Sequence, residues 1–244
     1  MAIGDALDAI RLGRADVMLC GGTEAPVTPV SVAGFAAMRA LSTRNDDPST
    51  ASRPFDRDRD GFVMAEGAAV LVLEELERAR ARNARIYAEL GGYGVSSDAS
   101  HVSDPDPIGA NAARAVRMAL ADADVRADEI GYVNAHGTST PAGDAAETRV
   151  LKLVFDGAVP PVSSTKGATG HTLGASGATE AIFTVLALHH GVLPPTLNLT
   201  SPDPECDLDY IPNVSRTTEV EAALSNSFGF GGHNSAVVFR RLQA

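Results

Sequence analysis

The first third of the chain begins with a helical pattern of apolar residues and then loses regular periodicity. Ile3, Leu7 and Ile10 recur at the spacing of one helix face, so an amphipathic helix is predicted at the start. The segment RADVMLCGG that follows has the apolar run and glycine end of a buried strand. From Thr23 to about Gly61 periodicity is weak and Pro, Gly, Ser and Asp are frequent, which predicts a long functional excursion. GAAVLVLEELERARAR then predicts a strand that runs into a helix.

Strand and helix patterns alternate regularly from Ile86 onwards. The predicted strands are IYAELGGYG, IGYVNAH, PPVSSTK and two more in ALSNSFGFGGHNSAVVFRR, joined by a glycine-rich turn. Between them lie helices whose apolar faces are Ala112, Val116, Ala119 and Leu120, then Ala146, Val150, Leu153 and Val154, then Ala178, Ile182, Val185 and Leu186. Asp144 and Glu147 have the spacing of a capping box at the start of the middle helix. This alternation predicts an α/β fold with a largely parallel sheet covered on both sides.

Composition and charge narrow the class of protein. The chain has 244 residues, 44% of them apolar, without a long apolar run, which predicts a soluble globular protein of one large or two small domains and no membrane span. Its start lacks the basic region and apolar block of a signal peptide, so a cytoplasmic location is expected. The net charge of −11 argues against binding to nucleic acid or to an anionic membrane. Cys20 and Cys206 are too few for a disulfide framework, lack CxxC metal spacing, and are expected to be a buried thiol and a loop thiol.

Three polar, glycine-rich segments follow predicted strands: NAHGTSTPAGD, STKGATGHTLGASG and NSFGFGGHN. Ligands of such sheets bind at the carboxyl ends of strands, so this convergence predicts the functional site. His136 and His171 are flanked by small residues that let a substrate approach closely. Two imidazoles are able to donate hydrogen bonds to an oxyanion or to transfer protons near neutral pH. A structural hydrogen-bonding role for each histidine is the competing interpretation.

The other candidate chemistry in these segments is less specific. Lys166 either biases the site electrostatically, pairs with Glu180 or Asp144, or lies on the surface. Metal binding by the histidines is disfavoured because no HxxxH or HExxH spacing is present. The glycine runs lack the GxGxxG and GxxxxGK[ST] orders of phosphate-binding loops. FGFGG instead predicts a tight turn that presents Phe228 and Phe230, or one that packs a phenylalanine in the core.

Long motifs of the chain resemble one known family. VNAHGTSTPAGDAAE, SSTKGATGHTLGASGATEA and NSFGFGGHNSAVVF resemble the His, Lys-His and GFGG motifs of β-ketoacyl-[acyl carrier protein] synthases, specifically the elongating type II condensing enzymes of fatty acid synthesis. The stretch from GGTEAPVTPV to AAVLVLEE resembles the part of the family that follows its nucleophile. The resemblance covers essentially the whole chain. It implies a thiolase-like fold in five layers, αβαβα, with residues 1–85 as the tail of the first half and residues 86–244 as the complete second half.

The resemblance implies a decarboxylating Claisen condensation between malonyl-acyl carrier protein and an acyl thioester on a cysteine. His136 and His171 would stabilise the oxyanions, Lys166 would organise the site with Glu180, and Asp144 would support it. The substrate-binding residues implied are Thr138 and Thr140 in the pantetheine channel, Phe230 as its gate, Phe228 beside the nucleophile, Arg39 at the carrier-protein surface and Ser103 at the channel mouth. A structural monovalent cation is implied at Asn134, Glu180, Ser225 and Asn226.

The implied partners are acyl carrier protein, with its phosphopantetheine arm, and a second copy of the chain; no catalytic cofactor is expected. The family's nucleophilic cysteine would fall a few residues before Met1, and neither Cys20 nor Cys206 matches it. We therefore expect the chain to be a fragment or late-started form of a condensing enzyme, inactive in condensation alone. The alternatives are a non-catalytic partner or pseudoenzyme subunit of a ketosynthase or polyketide system, and a chain that decarboxylates malonyl carrier protein without a cysteine.

Overall fold

The computed structural model describes residues 1–242 and contains helices and strands in alternation. The helices are α1 (Ala2–Arg11), α2 (Pro29–Ala37), α3 (Leu76–Ala81), α4 (Ala110–Asp122), α5 (Pro141–Val154), α6 (Lys166–Thr169) and α7 (Ser176–His190). The strands are β1 (Val17–Glu24), β2 (Gly67–Glu74), β3 (Glu89–Ser97), β4 (Ile130–Asn134), β5 (Val162–Ser163), β6 (Val192–Leu193), β7 (Arg216–Thr217), β8 (Ala222–Gly229) and β9 (His233–Arg240). No helix in residues 1–242 is both long and apolar enough to cross a membrane.

The main sheet has five strands in the order β3, β9, β8, β4, β5. β4 runs parallel to β5 and to β8, whereas β9 runs antiparallel to both β8 and β3. The prediction of a largely parallel sheet is therefore wrong, and the sheet is mixed. The cause is the turn at Phe230–Gly232, which reverses the chain so that β9 returns along β8. The predicted pair of strands joined by a glycine-rich turn is confirmed by the same hairpin.

Successive residues of β8 enter two different cores. Ala222 and Leu224 pack with α4 and α5 on one side of the sheet, and Ala223 packs with α1, α7 and β1 on the other. β1 and β2 form a separate antiparallel pair beyond α1 and α7. The described residues thus form four layers, helix, sheet, helix, sheet, because each sheet face and helix stripe must bury its apolar side.

The β1–β2 pair is apolar on both faces but covered on only one. Cys20 on β1 and Leu71 on β2 face the core between the sheets. On the opposite face Leu19, Val70 and Val72 are 70%, 63% and 65% exposed. We call these three side chains the outer ribbon face. Strands that are apolar on both faces are typical of sheets with a layer on each side.

Helix α1 is seated on the main sheet by close contact with Tyr93 of β3. A Cβ built on Gly4 would lie 2.2 Å from the Tyr93 ring, so only glycine fits there. The Tyr93 hydroxyl donates to Asp8 at 2.6 Å, and this bond with burial raises the pKa of Tyr93 to about 12. Arg11 at the end of α1 forms an ion pair with Asp122. The direction of α1 is thereby fixed relative to β3.

Several sequence predictions need correction. Helix α5 begins at Pro141, three residues before the predicted start at Asp144, because proline is favoured in the first helical turn. Leu153, assigned to the buried face of α5, is 43% exposed. Helix α2 lies inside the predicted excursion and was missed, since none of its residues is buried and no apolar face marks it. In α7 the predicted Ala178 is buried, whereas Ile182, Val185 and Leu186 are only half-buried. The other buried positions of this helix are Ser176, Glu180, Ala181, Thr184, Ala187 and Leu188.

Candidate active site

His136 and His171 lie together at the carboxyl ends of β4 and β5, as the strand-end rule predicts. Their ring centroids are 5.3 Å apart and their planes meet at 83°. His136 is the second residue after β4, and His171 the second after the short helix α6. The edge of Phe62 packs against His171 with a centroid distance of 5.3 Å. The two imidazoles therefore form one cluster although 35 positions separate them in the numbering.

The protonation of His171 is set by the chain that follows it. The backbone N–H of Leu173 donates to Nδ1 of His171 at 3.2 Å, and the Ser176 hydroxyl lies 2.9 Å from the same nitrogen. A backbone N–H can only donate, so Nδ1 accepts and the neutral ring carries its proton on Nε2. Leu173 reaches this position in the left-handed backbone region, with φ of 46°. His171 thus has an Nε2–H group free to serve a substrate.

Lys166 imposes the same tautomer on His136. Its ammonium nitrogen lies 2.5 Å from the carbonyl oxygen of His136 and 3.5 Å from Nδ1 of that ring. An ammonium group has no lone pair, so it acts as donor to both atoms. Nδ1 of His136 therefore accepts, and Nε2 carries the proton. His136 and His171 therefore each present an Nε2–H group as a hydrogen-bond donor.

Burial keeps both imidazoles neutral. It lowers the pKa of His136 well below its ordinary value, and the nearby Lys166 charge and His171 lower it further. Burial likewise lowers the pKa of His171, with Lys166 again acting in the same direction. Neutral rings are hydrogen-bond donors at Nε2 without being acids near pH 7, which suits stabilisation of a developing oxyanion.

Lys166 is almost fully buried, and its charge is balanced by Glu180 on α7. The ammonium group contacts the Glu180 carboxylate directly, and both side chains are at most 3% exposed. Burial raises the pKa of Glu180 to about 7, against the opposing effect of the Lys166 charge. Of the pairings predicted for Lys166, the one with Glu180 is present in this structure, while Asp144 pairs elsewhere.

Two carboxylates of α5 hold the loop that carries His136. Glu147 accepts the backbone N–H groups of His136 and Gly137 at 2.8 and 2.7 Å. Asp144 accepts those of Phe55 and Ser139 at 2.8 and 3.1 Å. Since α5 begins at Pro141, neither carboxylate forms the predicted capping box. Their spacing instead points both side chains out of the first turns of α5 toward this loop.

Arg59 forms a buried ion pair with Asp144. Its guanidinium lies 3.4 Å from Asp144 and 2.6 Å from Asp203, and its side chain is 2% exposed. Burial raises the pKa of Asp144 to about 7, and Arg59 opposes that rise. Arg59 was not among the predicted site residues. The excursion is thereby bonded to the start of α5, which closes one side of the site.

A cavity of about 610 Å³ opens in front of the two histidines. The substrate-binding candidates that line it are Arg39, Ser103, Thr138, Thr140, Phe228 and Phe230. Phe230 is 45% exposed, and its ring centroid lies 5.9 Å from that of Phe35, so the turn presents this residue rather than packing it in the core. The structure thus brings all six predicted substrate residues to the cavity of the histidines.

A second cavity, of about 320 Å³, adjoins the first at the start of α1. It is lined by Met1, Ala2 and Ile3, and it shares Leu173 and Ser227 with the larger cavity. Neither Cys20 nor Cys206 lines either cavity. Burial raises the pKa of Cys20, and raises that of Cys206 to about 11. Both thiols are therefore in their unreactive form near neutral pH.

The four residues predicted to hold a cation lie on neighbouring elements. Asn134 ends β4 and is paired in register with Ser225 of β8. Several polar atoms of this group are buried and have no hydrogen-bond partner within residues 1–242. They are both amide atoms of Asn134, Oε2 of Glu180 and Oδ1 of Asn226. Buried oxygens of this kind normally have a partner. This donor set, one carboxylate with amide oxygens, suits a hard cation of low charge.

Two family models match the chain, and together they span most of it. The model described as "Beta-ketoacyl synthase, N-terminal domain" matches residues 1–79, and that described as "Beta-ketoacyl synthase, C-terminal domain" matches residues 87–200. The chain belongs to the β-ketoacyl synthase family.

Curated relatives carry one name. The chain is 56% identical to 3-oxoacyl-[acyl-carrier-protein] synthase 2 of Synechocystis, with 99% of the chain and 59% of the relative aligned. It is 56% identical to the protein of that name from Rhizobium meliloti, covering 58% of that relative, and 51% identical to the one from Staphylococcus aureus, covering 59%. The chain thus spans less than two thirds of the length of these relatives.

Solved ketosynthases share the fold. A β-ketoacyl synthase from Burkholderia phymatum superposes with a TM-score of 0.95 at 48% identity, covering 99% of this chain and 59% of that one. A ketosynthase solved with its type II polyketide acyl-carrier protein and a hexaketide gives 0.96 at 42% identity, covering 99% and 60%. The ishigamide ketosynthase/chain length factor gives 0.93 at 40% identity, covering 99% and 58%. The expected thiolase-like α/β fold is confirmed by these matches.

Proposed function

We propose that this chain supplies the histidine and lysine part of a β-ketoacyl-[acyl carrier protein] synthase of fatty acid elongation, and that it does not condense substrates alone. The observation that carries the proposal is the pair of neutral imidazoles, 5.3 Å apart, each with Nδ1 held as an acceptor in front of one cavity. The relatives named 3-oxoacyl-[acyl-carrier-protein] synthase 2 support the choice of substrate.

The decarboxylation step uses the two Nε2–H groups. The bond between the malonyl methylene carbon and its carboxylate breaks, CO₂ leaves, and the electron pair moves into an enolate of the thioester. His136 and His171 donate hydrogen bonds to the oxygen on which that charge collects. Because both rings are already neutral donors, no proton has to move before the charge develops. The enolate carbon then attacks the acyl thioester carbonyl and the cysteine thiolate leaves, which forms the new carbon–carbon bond.

The nucleophile in this proposal comes from the part of the relatives that precedes the position matched by Met1. Its thiolate would enter the smaller cavity at the start of α1, where helix N–H groups favour negative charge. The residues Leu173 and Ser227 shared by both cavities would connect the acyl thioester to the malonyl group. The buried Cys20 and Cys206 have no part in this step.

The larger cavity takes the phosphopantetheine arm of acyl carrier protein. Thr138 and Thr140 hydroxyls, 2.9 Å apart, offer hydrogen-bonding groups along its wall. Phe230 lies at the turn between β8 and β9 and would gate the channel, with Phe228 nearer His136. Arg39 and Ser103 at the mouth would meet the phosphate or the carrier surface. The complex of a related ketosynthase with its carrier protein supports this assignment.

A monovalent cation belongs to the same proposal. Asn134, Glu180, Ser225 and Asn226 would hold it, with the unpartnered oxygens of Asn134, Glu180 and Asn226 among its ligands, and the cation would offset carboxylate charge behind the histidines. We expect K⁺ to raise the melting temperature relative to tetramethylammonium in the wild-type chain. Asn134→Ala should abolish that response and the exposed Asn45→Ala should keep it. Equal melting temperatures in both salts would count against the cation.

The decisive experiment adds the part of a relative that the chain does not match. The 244-residue chain is joined to the segment of the Synechocystis relative that precedes its matched region; we call this product the joined protein. We expect the joined protein to convert acyl-carrier protein and malonyl-carrier protein to a β-ketoacyl product, and the chain alone to form none. An inactive but folded joined protein would refute the proposal. CO₂ release by the chain alone would favour decarboxylation without a cysteine.

A non-catalytic partner role is the second candidate, favoured by the likeness to ketosynthase/chain length factor assemblies. It predicts a stoichiometric partner in pull-downs and no loss of partner function in a His136→Ala/His171→Ala variant. The first proposal predicts a homodimer of the joined protein and loss of activity in the same variant. The division of the chain at residues 85 and 86 stays a prediction, which limited proteolysis of the joined protein tests.

A further inference from the structure

One donor to His171 is a side chain whose role the condensation chemistry does not account for. The Ser176 hydroxyl lies 2.9 Å from Nδ1 of His171. Nδ1 has a single lone pair, and the Leu173 N–H, 3.2 Å away, already requires that nitrogen to accept. The Ser176 hydroxyl therefore donates its proton to Nδ1 as well, and the ring is held from two directions.

Thr172 completes the arrangement. Its hydroxyl lies 3.2 Å from the Ser176 oxygen, whose own proton is used on the ring, so Thr172 donates to Ser176. Ser176 and Thr172 are 4% and 6% exposed, so water has little access to either hydroxyl. Ser176 is also the first residue of α7, which packs against the main sheet and gives the hydroxyl a fixed origin.

We propose that Ser176, supported by Thr172, is a positioning residue for His171. The order Thr172 to Ser176 to Nδ1 fixes both the tautomer and the rotation of the ring, and so directs Nε2–H into the cavity. Without Ser176, the Leu173 N–H would be the one donor to Nδ1, through a longer bond of 3.2 Å. The imidazole ring could then tilt about that single bond. The catalytic consequence rests on the function proposed above, whereas the tautomer is a property of this chain.

Magic-angle-spinning NMR of the chain labelled with ¹⁵N-histidine tests the tautomer directly and does not depend on molecular size. In the wild type, His171 should show an unprotonated Nδ1 and a protonated Nε2. Ser176→Ala should raise the population of rings protonated at Nδ1 on the order of tenfold, since one hydrogen bond to the neutral acceptor form is lost. Thr172→Val should shift the same signals in the same direction by less.

The matched control is Ser163→Ala, which removes another buried serine hydroxyl, one that is bonded to Tyr132 at 2.7 Å rather than to His171. It should leave the His171 signals unchanged. The inference is overturned if Ser176→Ala leaves both nitrogen signals unchanged, or if Ser163→Ala moves them equally. Circular dichroism of each variant establishes that it is folded, and Thr172→Val provides the test if Ser176→Ala does not fold.

Kinetics of the joined protein test the consequence. Ser176→Ala should lower kcat of condensation about tenfold with little change in KM for malonyl-carrier protein, because the ring serves the transition state. Altered NMR signals with an unchanged kcat would overturn the positioning role. If the unsubstituted joined protein is inactive, the proposed function fails by itself, and the NMR comparison still decides whether Ser176 sets the tautomer.

Discussion

Leu19 and Val72 lie directly opposite each other on the β1–β2 ribbon, and both side chains face solvent. Within residues 1–242 no third strand pairs with β1 or β2, and such an apolar pair on an uncovered face favours association between chains. We expect the isolated chain to form oligomers or aggregates that grow with concentration, as measured by light scattering. Leu19→Lys/Val72→Glu should reduce them, whereas Met118→Lys on α4 should not.

The joined protein should behave differently at this surface, because the added segment would cover the outer ribbon face. Its association should therefore not respond to Leu19→Lys/Val72→Glu in the same way, and those changes should destabilise it instead. A wild-type chain that stays monomeric across the concentration range would contradict the prediction.

Replacing Glu147 should loosen the His136 loop. Glu147→Gln puts an amide N–H₂ where one of two backbone N–H groups needs an acceptor, so a buried donor loses its partner. We expect unfolding free energy to fall by about 1–3 kcal/mol in urea titrations of the solubilised Leu19→Lys/Val72→Glu chain. Glu205→Gln, at an exposed ion pair with Arg149, is the control and should change stability by less than about 1 kcal/mol. Equal effects of the two changes would exclude a special role for Glu147.

Removing the Lys166 charge should cost more than removing a surface lysine. Lys166→Met leaves Glu180 buried without its cation, and breaking a buried pair in this way costs about 3–5 kcal/mol. Lys152→Met breaks only an exposed contact with Asp207 and should cost about 0–1 kcal/mol. The double variant Lys166→Met/Glu180→Leu should recover part of the loss. The loss of stability on Glu180→Leu is measured in the wild type and in Lys166→Met. Equal losses in the two backgrounds would show that the two side chains are not coupled.

The buried histidines predict a specific sensitivity to acid. The pKa of His171 is lower in the folded chain than its ordinary 6.5, so below pH 6.5 the unfolded chain binds the proton first. Stability contributed by His171 is therefore complete above pH 6.5 and falls as pH decreases, by at most about 1.4 kcal/mol per pH unit. Urea titrations from neutral to acid pH should show a flatter profile for His171→Asn than for the wild type. His190→Gln, at the exposed end of α7, should retain the wild-type slope.

The carboxyl groups of Glu180 and Asp144 change the stability of the fold with pH in the direction opposite to His171. The His171→Asn variant is therefore compared with the wild type at each pH. Burial raises the pKa of both carboxyls to about 7, so between their ordinary values and pH 7 the folded chain binds more protons than the unfolded chain. Their contribution to stability falls as pH rises through that window. A wild-type minus His171→Asn difference that does not change with pH would show that His171 is not held neutral.

The contact between Gly4 and Tyr93 should tolerate no side chain. Gly4→Ala would place a Cβ 2.2 Å from the Tyr93 ring, and relief of that overlap should cost about 1–3 kcal/mol in urea titrations. Gly34→Ala in the exposed helix α2 meets nothing within 4 Å and should be neutral or stabilise by about 0.5–1 kcal/mol. Comparable losses at the two positions would mean that α1 is not tightly seated on β3.

The sequence allowed the approximate location of the site to be predicted, because strand ends of an α/β sheet converge regardless of detail. His136, His171 and Lys166 were named from this rule and from the family resemblance, and the structure brings them together. The direction of β9 could not be predicted from alternation, since periodicity reports which face a strand buries and says nothing of which neighbour it pairs with.

The supporting residues were harder to foresee for a related reason. A three-residue error in the start of α5 made Asp144 and Glu147 resemble caps, whereas both bond backbone N–H groups of distant loops. Ser176 carries no sequence signal, because its importance depends on the orientation of the His171 ring. Contacts between residues far apart in sequence decide these roles, and no local pattern encodes them.

Because β9 lies between β3 and β8, the main sheet cannot be completed until β9 has been translated. β9 is the last strand within residues 1–242, and β3 precedes it by more than a hundred residues. During translation β3 has no strand partner until β9 has been made, so the pairing of β3 is completed only after that point. Such distant pairing makes folding slow and leaves apolar strand edges exposed to chaperones and proteases meanwhile. A premature stop codon that removes only β9 would therefore leave β3 without a strand partner and reduce the sheet to β8, β4 and β5, which pair with one another.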